Sequence, residues 1–318
     1  MRYARAHMLA YTFRRILWFF PILLGVATVT FLLLHVLPGD PVLSMVGERY
    51  DAETLARLRT EMNLDKPLIE RYGRYLADLA TLDLGNSYVT GVPVGKSILE
   101  RFPHTLRLAA AAMAIAVVLG VAIGVLAAWR RGSAFDYLLV GGAVIGVSMP
   151  VFWLGVVLIY IFSMRLGVLP ASGYGNGSAM YLILPALTLA MASTAYIARI
   201  TRSSVLDEVH ETYVKAARAK GAGESRVLVR HALRNALLPI ITVVGVDFGS
   251  YLSGAVLTES IFAWPGLGRF TLDAILKRDL PAIQGAVLFM AVLFMTVNLL
   301  VDLLYARVDP RVKLARES

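Results

Sequence analysis

Four groups of residues have types and spacings that could do chemistry, and each would need a particular partner. Gly146-Val147-Ser148 puts a hydroxyl inside a long apolar run, where a nucleophilic serine requires a general base at the same depth. The histidines are His7, His35, His104, His210 and His231, of which only His35 lies near an apolar run, close to its end. An intramembrane hydrolase therefore lacks its base, and Ser148 is read as bonding a carbonyl freed by Pro150. Gly91-Val92-Pro93-Val94-Gly95-Lys96-Ser97 looks like a phosphate-binding loop, but the true pattern has one more residue between its glycines. Pro93 also removes a backbone N–H that a phosphate would need, so no ATP hydrolysis is expected in this chain. The absence of cysteine excludes disulfides, thiolate metal sites and thiol catalysis. Asp247 sits inside another apolar run. A carboxylate at the centre of a membrane costs roughly 2.5–3.5 kcal/mol, so it should face a wet cavity or a partner. Two readings stay open: a pathway residue that draws a cationic group such as a substrate amine, or a structural bond to another helix. Ser148 and Glu259 complete the candidate pathway set, although Glu259 and Asp302 lie nearer the ends of their runs, where a structural role is expected.

The elements that position these residues are apolar helices. The 318 residues are 58% hydrophobic and 17% charged, with a mean hydropathy of +0.67. A soluble domain is about 45–50% apolar and about 25% charged, so this chain has too little polar surface to cover a soluble fold. Its net charge of +9 would suggest nucleic acid in a soluble protein. In a membrane protein it marks basic cytoplasmic loops, and no nucleic-acid partner is expected. Spans of about 20 residues are read at 16–37, 106–128, 137–162, 180–200, 236–258 and 283–305. Six crossings place every short basic segment on the inside: 1–15 with Arg2, Arg5, Arg14 and Arg15, the turn with Arg130 and Arg131, the 202–235 loop, and the 306–318 tail. Segments 38–105 and 259–282 fall outside. The expectation is an all-α membrane protein with six transmembrane helices and both termini cytoplasmic. The first run is too long for a signal-peptide core and is read as an uncleaved helix. The outer segment should hold short helices over Ala52–Asn63 and from Lys66-Pro67 through Leu79. Pro150 and Pro185 interrupt helical hydrogen bonding, while Gly120, Gly124, Gly141, Gly142, Gly146 and Gly155 permit close helix approach.

The 202–235 loop is too long for a simple turn. Its spacing predicts one helix over Glu208–Arg218, a break at Gly221 and Gly223, and a second helix over Glu224–Leu237, with Pro239 following. Ala216, Ala217 and Ala219 keep one face small. Such a hairpin suits insertion into a groove on a cytosolic partner or, equally, a basic amphipathic hairpin lying on anionic lipid.

Lys215-Ala216-Ala217, Gly221 and Leu238-Pro239 resemble the EAA loop of binding-protein-dependent ABC importer permeases, with lysine at the usual glutamate position. Tyr213 through Gly221 and His231 through Ala236 are similar to the peptide-permease version of that loop. Further matches run in order along the chain: Pro38-Gly39-Asp40-Pro41, Leu64-Asp65-Lys66-Pro67, Asp83-Leu84-Gly85, Arg131-Gly132 before Asp136, Ser148-Met149-Pro150, Arg202-Ser203-Ser204, Glu259 through Gly268, Gln284-Gly285 and Asp309-Pro310-Arg311. Together they resemble the DppB/OppB-type permeases of dipeptide, oligopeptide, nickel and glutathione importers, the dipeptide type above all. The resemblance implies a type I ABC importer permease fold, a multi-pass place in the bacterial plasma membrane, and import of dipeptides or short peptides, with nickel, glutathione or longer oligopeptides as the alternatives. It implies as partners a second homologous permease, two ATPase subunits that hold ATP and Mg, and an extracytoplasmic peptide-binding protein, all around a lipid bilayer. It assigns no catalytic residue, cofactor or metal to this chain, and it places ATPase coupling on Tyr213, Lys215, Ala216, Ala217, Lys220, Gly221, His231, Arg234 and Asn235. An intramembrane enzyme and a self-contained secondary transporter are the readings of other classes.

Overall fold

The computed structural model describes residues 2–36, 42, 52–61 and 64–308. Residues 38–41 and 309–311, which carry two of the motif matches, and Asn63, the expected end of the first outer helix, lie outside the described residues. The helices are α1 (Arg2–Val36), α2 (Ala52–Glu61), α3 (Leu68–Ala80), α4 (Val94–Trp129), α5 (Ala134–Ser148), α6 (Val151–Leu158), α7 (Ala179–Val209), α8 (Thr212–Ala219), α9 (Leu233–Gly254), α10 (Val256–Ile261), α11 (Leu267–Leu276) and α12 (Leu280–Val308). Two π-helical stretches, Ile159–Arg165 and Val227–Ala232, extend α6 and lead into α9. Among the described residues five helical segments are long and apolar enough to cross a membrane: Thr12–Leu34, Val94–Trp129, Ala179–Val209, Glu224–Ser253 and Leu280–Leu304.

The apolar run 137–162 forms two shorter helices rather than one. Pro150 has no N–H to give and forces Met149 into extended backbone (ψ 131°), so α5 stops and α6 restarts. Helices also outrun the apolar stretches that announce them. α4 begins at Val94, twelve residues before the expected span, because the segment 94–105 keeps a helical apolar stripe in which Val94 and Ile98 are buried.

The chain divides into two compact units. The first comprises Met1–Thr105 and Pro265–Leu293. Its core gathers Val94, Ile98, Leu267, Ala274, Ala282 and Ile283, with Phe102 edge-on to Phe289 at 5.4 Å. Asp279, only 4% exposed, ties the loop before α4 to the start of α12. Its carboxylate accepts the Ser87 hydroxyl at 2.5 Å and the Tyr88 amide at 3.0 Å. α3 lies on α1 through its tyrosines: the Tyr72 and Thr28 hydroxyls are 2.6 Å apart, and the Tyr75 ring stacks on Phe31 at 5.5 Å.

The second unit comprises Leu106–Trp264 and Phe294–Ser318. α7 is its central helix, and α5, α6, α9 and α10 all pack on it. α4 approaches α7 closely enough that a Cβ at Gly124 would stand 2.6 Å from the Ala198 carbonyl oxygen and one at Gly120 would stand 2.8 Å from the Ile197 Cβ. These are the glycines that close packing requires. Gly141 and Gly142, of the same sequence type, have nothing within 4 Å.

Candidate functional site

The 202–235 loop starts inside α7, which runs on to Val209 before the chain turns at His210-Glu211. The predicted helix over Glu208–Arg218 therefore begins later, at Thr212. Val205 and Val214 are both 0% exposed, yet nine positions apart on one straight helix they would point in opposite directions, about half a turn out of phase. The break at Glu211 resolves the conflict. Its backbone is extended (ψ 149°), and its carbonyl accepts the Val214 and Lys215 amides at 3.1 Å each.

α8 then sits against the ends of the long helices. Val205, Leu228, Ala232 and Ala236 form a buried cluster with Ala128, and Val209 and Leu206 pack on it. The Tyr213 hydroxyl donates to the Glu208 carboxylate, accepts from Asn235 Nδ2 at 2.7 Å and stands 3.4 Å from the His231 carbonyl oxygen. Burial, then the bond to Glu208, pushes the Tyr213 phenol up to about 12, so it remains a neutral donor. Three residues named from sequence, Tyr213, His231 and Asn235, thus meet. Glu208, which supplies the acceptor, was not among those named.

The turn after α8 is closed by a charged fork. Arg218 donates to both Glu224 carboxylate oxygens, at 2.8 and 3.1 Å, which holds the Glu224 carboxyl below its ordinary range. Gly221 takes φ +84° with open space around it, so the requirement for glycine is conformational rather than steric. Its amide bonds the Arg218 carbonyl at 2.9 Å and the Ala222 amide bonds the Ala217 carbonyl at 3.2 Å. Lys215, Ala216, Ala219 and Lys220 are exposed, as is Arg234, and Ala217 is half-buried. The outward surface is small and basic, while the inward surface is anchored.

A second device near this loop was missed by residue-by-residue reading. Asp136, 3% exposed, receives Arg202 Nε at 2.5 Å and a second guanidinium nitrogen at 2.7 Å. It also accepts the Gly132 amide at 3.0 Å, and the Ser133 hydroxyl caps the same turn from the Asp136 amide at 3.3 Å. The bond to Arg202 holds the Asp136 carboxyl below the usual carboxylate range. The available signal was a lone acid beside Arg130 and Arg131, and two motif matches, 131–136 and 202–204, at separated positions.

The candidate pathway residues do not form one group. Asp247 is half-buried in α9 and makes no hydrogen bond or ion pair with any described residue. One turn further, the Tyr251 hydroxyl bonds the Leu189 carbonyl at 2.8 Å and Ser193 Oγ at 2.6 Å, pinning α9 to α7. Ser148 is exposed at the end of α5. Glu259 is 0% exposed, between buried Thr258 and the fully buried Phe262 and Trp264, and it reaches no open space. Among the described residues no cluster of His, Cys, Asp or Glu could hold a metal ion.

Two sequence families match this chain: the binding-protein-dependent transport system inner membrane component over residues 120–314 and its N-terminal companion over residues 8–109. The dipeptide transport system permease protein DppB of Alkalihalophilus pseudofirmus is 41% identical, covering 96% of this chain and 100% of its own length. That of Escherichia coli K12 is 42% identical, covering 96% and 99%. A putative peptide transport system permease of Brucella abortus is 43% identical over the same shares. Among solved structures, the inward-facing MetNI methionine ABC transporter aligns with TM-score 0.56 at 16% identity, covering 67% of this chain and 96% of that one. An amino acid ABC transporter aligns with TM-score 0.52 at 21% identity, covering 67% and 94%. The fold is that of ABC importer membrane subunits.

Proposed function

The chain belongs to the binding-protein-dependent transport system inner membrane component family, and we propose that within it this protein is a permease subunit for dipeptides and other short peptides. It is a transporter component of the bacterial inner membrane and not an enzyme, and its family works with an ATPase and a binding protein. In the proposed assembly it pairs with a second, homologous permease. Two cytosolic ATPase subunits hold ATP and Mg, and an extracytoplasmic peptide-binding protein delivers the substrate. Six crossings leave both termini and the 202–235 loop in the cytoplasm.

The observation that carries this reading is the construction of α8. Its inner side is fixed by Val214 and by the Tyr213–Glu208–Asn235 cluster, and its outer side offers Lys215, Ala216 and Lys220 to a partner. A small face at Ala216 and Ala217 lets a helix sink into a groove, and the Gly221 turn sets the angle at which it enters. Movement of the ATPase then tilts the helices to which α8 is anchored. No bond of the substrate is made or broken, so access alternates without a catalytic residue in this chain. Asp247, a carboxylate without a bonded partner in its own unit, is the pathway position that would greet a peptide's ammonium group.

The test is ATP-driven uptake of alanyl-alanine by the reconstituted transporter. Ala216→Trp adds bulk to an exposed position, so the variant should insert and assemble normally while uptake falls at least tenfold. Undiminished uptake would remove α8 from the coupling path.

A further inference from the structure

α3 carries a face that the cycle above does not use. Arg71, Arg74, Tyr75 and Asp78 recur at three- and four-residue steps and so share one side of the helix. They line a cleft of about 240 Å³, to which Tyr88 and Gln284 also contribute. That volume lies below the roughly 300–1,000 Å³ of sites for drug-sized ligands, so the cleft suits a small molecule.

Two donors on residues that line this cleft lack acceptors. The Tyr75 hydroxyl is buried and has no hydrogen-bond partner among the described residues. The half-buried Arg71 guanidinium makes no hydrogen bond or ion pair with any described residue. Its neighbours are satisfied: Lys66 and Arg74 both pair with Glu70, at 2.9 and 3.0 Å. Burial pushes the Tyr75 phenol up to about 12, which keeps its proton in place. A guanidinium and a phenol on residues that line one cleft, four positions apart on one helix face, are a donor set for a carboxylate. Asp78 is exposed on the same face, seven residues from Arg71, about 10.5 Å along the helix. An extended dipeptide backbone spans about 7 Å, and the long Arg71 side chain covers the difference.

We propose that this cleft is an outer subsite for short zwitterionic peptides, in which Arg71 and Tyr75 donate to the terminal carboxylate and Asp78 receives the ammonium group. The proposal rests on the peptide-permease reading. It adds a place where this chain itself recognises substrate, through both ends of the molecule and without regard to its side chains.

The experiment uses the assembled transporter in nanodiscs without binding protein, titrated with alanyl-alanine and followed by ligand-observed NMR. Alanyl-alanine should bind in the millimolar range. Arg71→Gln and Tyr75→Phe should each weaken it at least tenfold, alanyl-alanine amide should bind at least tenfold more weakly, and Asp78→Asn should reduce affinity severalfold. Tyr75→Phe removes only an oxygen that no described residue bonds, so its melting temperature should not fall. Equal binding by wild type, Arg71→Gln and Tyr75→Phe would overturn the proposal, as would no binding by wild type. Weaker docking of the binding protein to Arg71→Gln, without any alanyl-alanine binding, would also overturn it in favour of an interprotein ion pair. ATP-driven uptake by the same transporter in sealed liposomes, with binding protein added, separates the two readings. A wild type that fails to import with all partners present refutes the peptide-permease reading, whereas normal import by every cleft variant refutes the subsite alone.

Discussion

Asp136→Asn tests whether the two ends of α5 and α7 are locked by charge. The native carboxylate receives two nitrogens of Arg202 at 2.5 and 2.7 Å and the Gly132 amide at 3.0 Å. Removing one member of a fully buried pair costs about 3–5 kcal/mol. Asp136 is almost wholly buried, but 26% of the Arg202 side chain is exposed, so water can rescue the orphaned guanidinium. That moves the expectation toward the range for charged hydrogen bonds, about 1.5–3 kcal/mol. Asparagine keeps an oxygen for the Gly132 amide, so the loss belongs to the arginine fork. The assay is a double-mutant cycle of Asp136→Asn, Arg202→Gln and the double variant, read by denaturant unfolding in detergent at pH 7. A coupling energy of about 1.5–3 kcal/mol is expected, and a value below about 0.5 kcal/mol would refute the account. The pH dependence gives an independent check. The folded carboxyl sits below its ordinary value because of Arg202, so its contribution is complete above the unfolded pKa of about 3.9 and disappears as pH falls through the lower folded value. Wild type and Asp136→Asn should therefore differ at neutral pH and converge in stability in strong acid.

Tyr213→Phe removes the hydroxyl shared by Glu208 and Asn235; stability should fall by about 1 kcal/mol, and peptide uptake should drop relative to ATPase turnover, measured on the same liposomes. Gly124→Ala should destabilise the chain by about 1–3 kcal/mol, because its Cβ would overlap the Ala198 carbonyl. Gly141→Ala, with open space around it, should instead gain about 0.5–1 kcal/mol; thermal unfolding of both variants in one detergent checks the contrast. Asp247→Asn should leave stability unchanged or slightly raised, since no bonded partner among the described residues is lost, while the KM for uptake of a zwitterionic dipeptide rises and that for an N-acetylated dipeptide does not.

Local chemistry made much of this architecture readable in advance. Lys66-Pro67 announced the start of α3 and Gly221 the end of α8, whereas Pro150 and Pro185 looked alike in sequence and only Pro150 splits its apolar run into two helices. Hydropathy marks only the part of a helix that is apolar enough for lipid, so it could not show that α4 starts at Val94 or that α7 reaches Val209. Nor could composition separate Gly120 and Gly124 from Gly141 and Gly142, since what differs is whether another backbone lies opposite. The site divides in the same way. Gly221 stood out as a helix break and the family resemblance pointed to Tyr213 and Asn235, but Glu208 gains its role only when a turn at Glu211 folds α8 back on it. Asp136 and Arg202 are 66 positions apart, and no local periodicity connects them.

The uninterrupted run of α7 has a mechanical consequence. Thirty-one residues make a rod about 46 Å long, roughly half again the thickness of the hydrocarbon core. In the proposed coupling the surplus is a short lever arm that ends beside the Tyr213 anchor of α8. A tilt of about 10° swings one end through about 8 Å relative to the other, several times what a side chain rearrangement supplies. Because α5, α6, α9 and α10 all rest on this rod, the proposed coupling would pass a push at Val209 to all four of them.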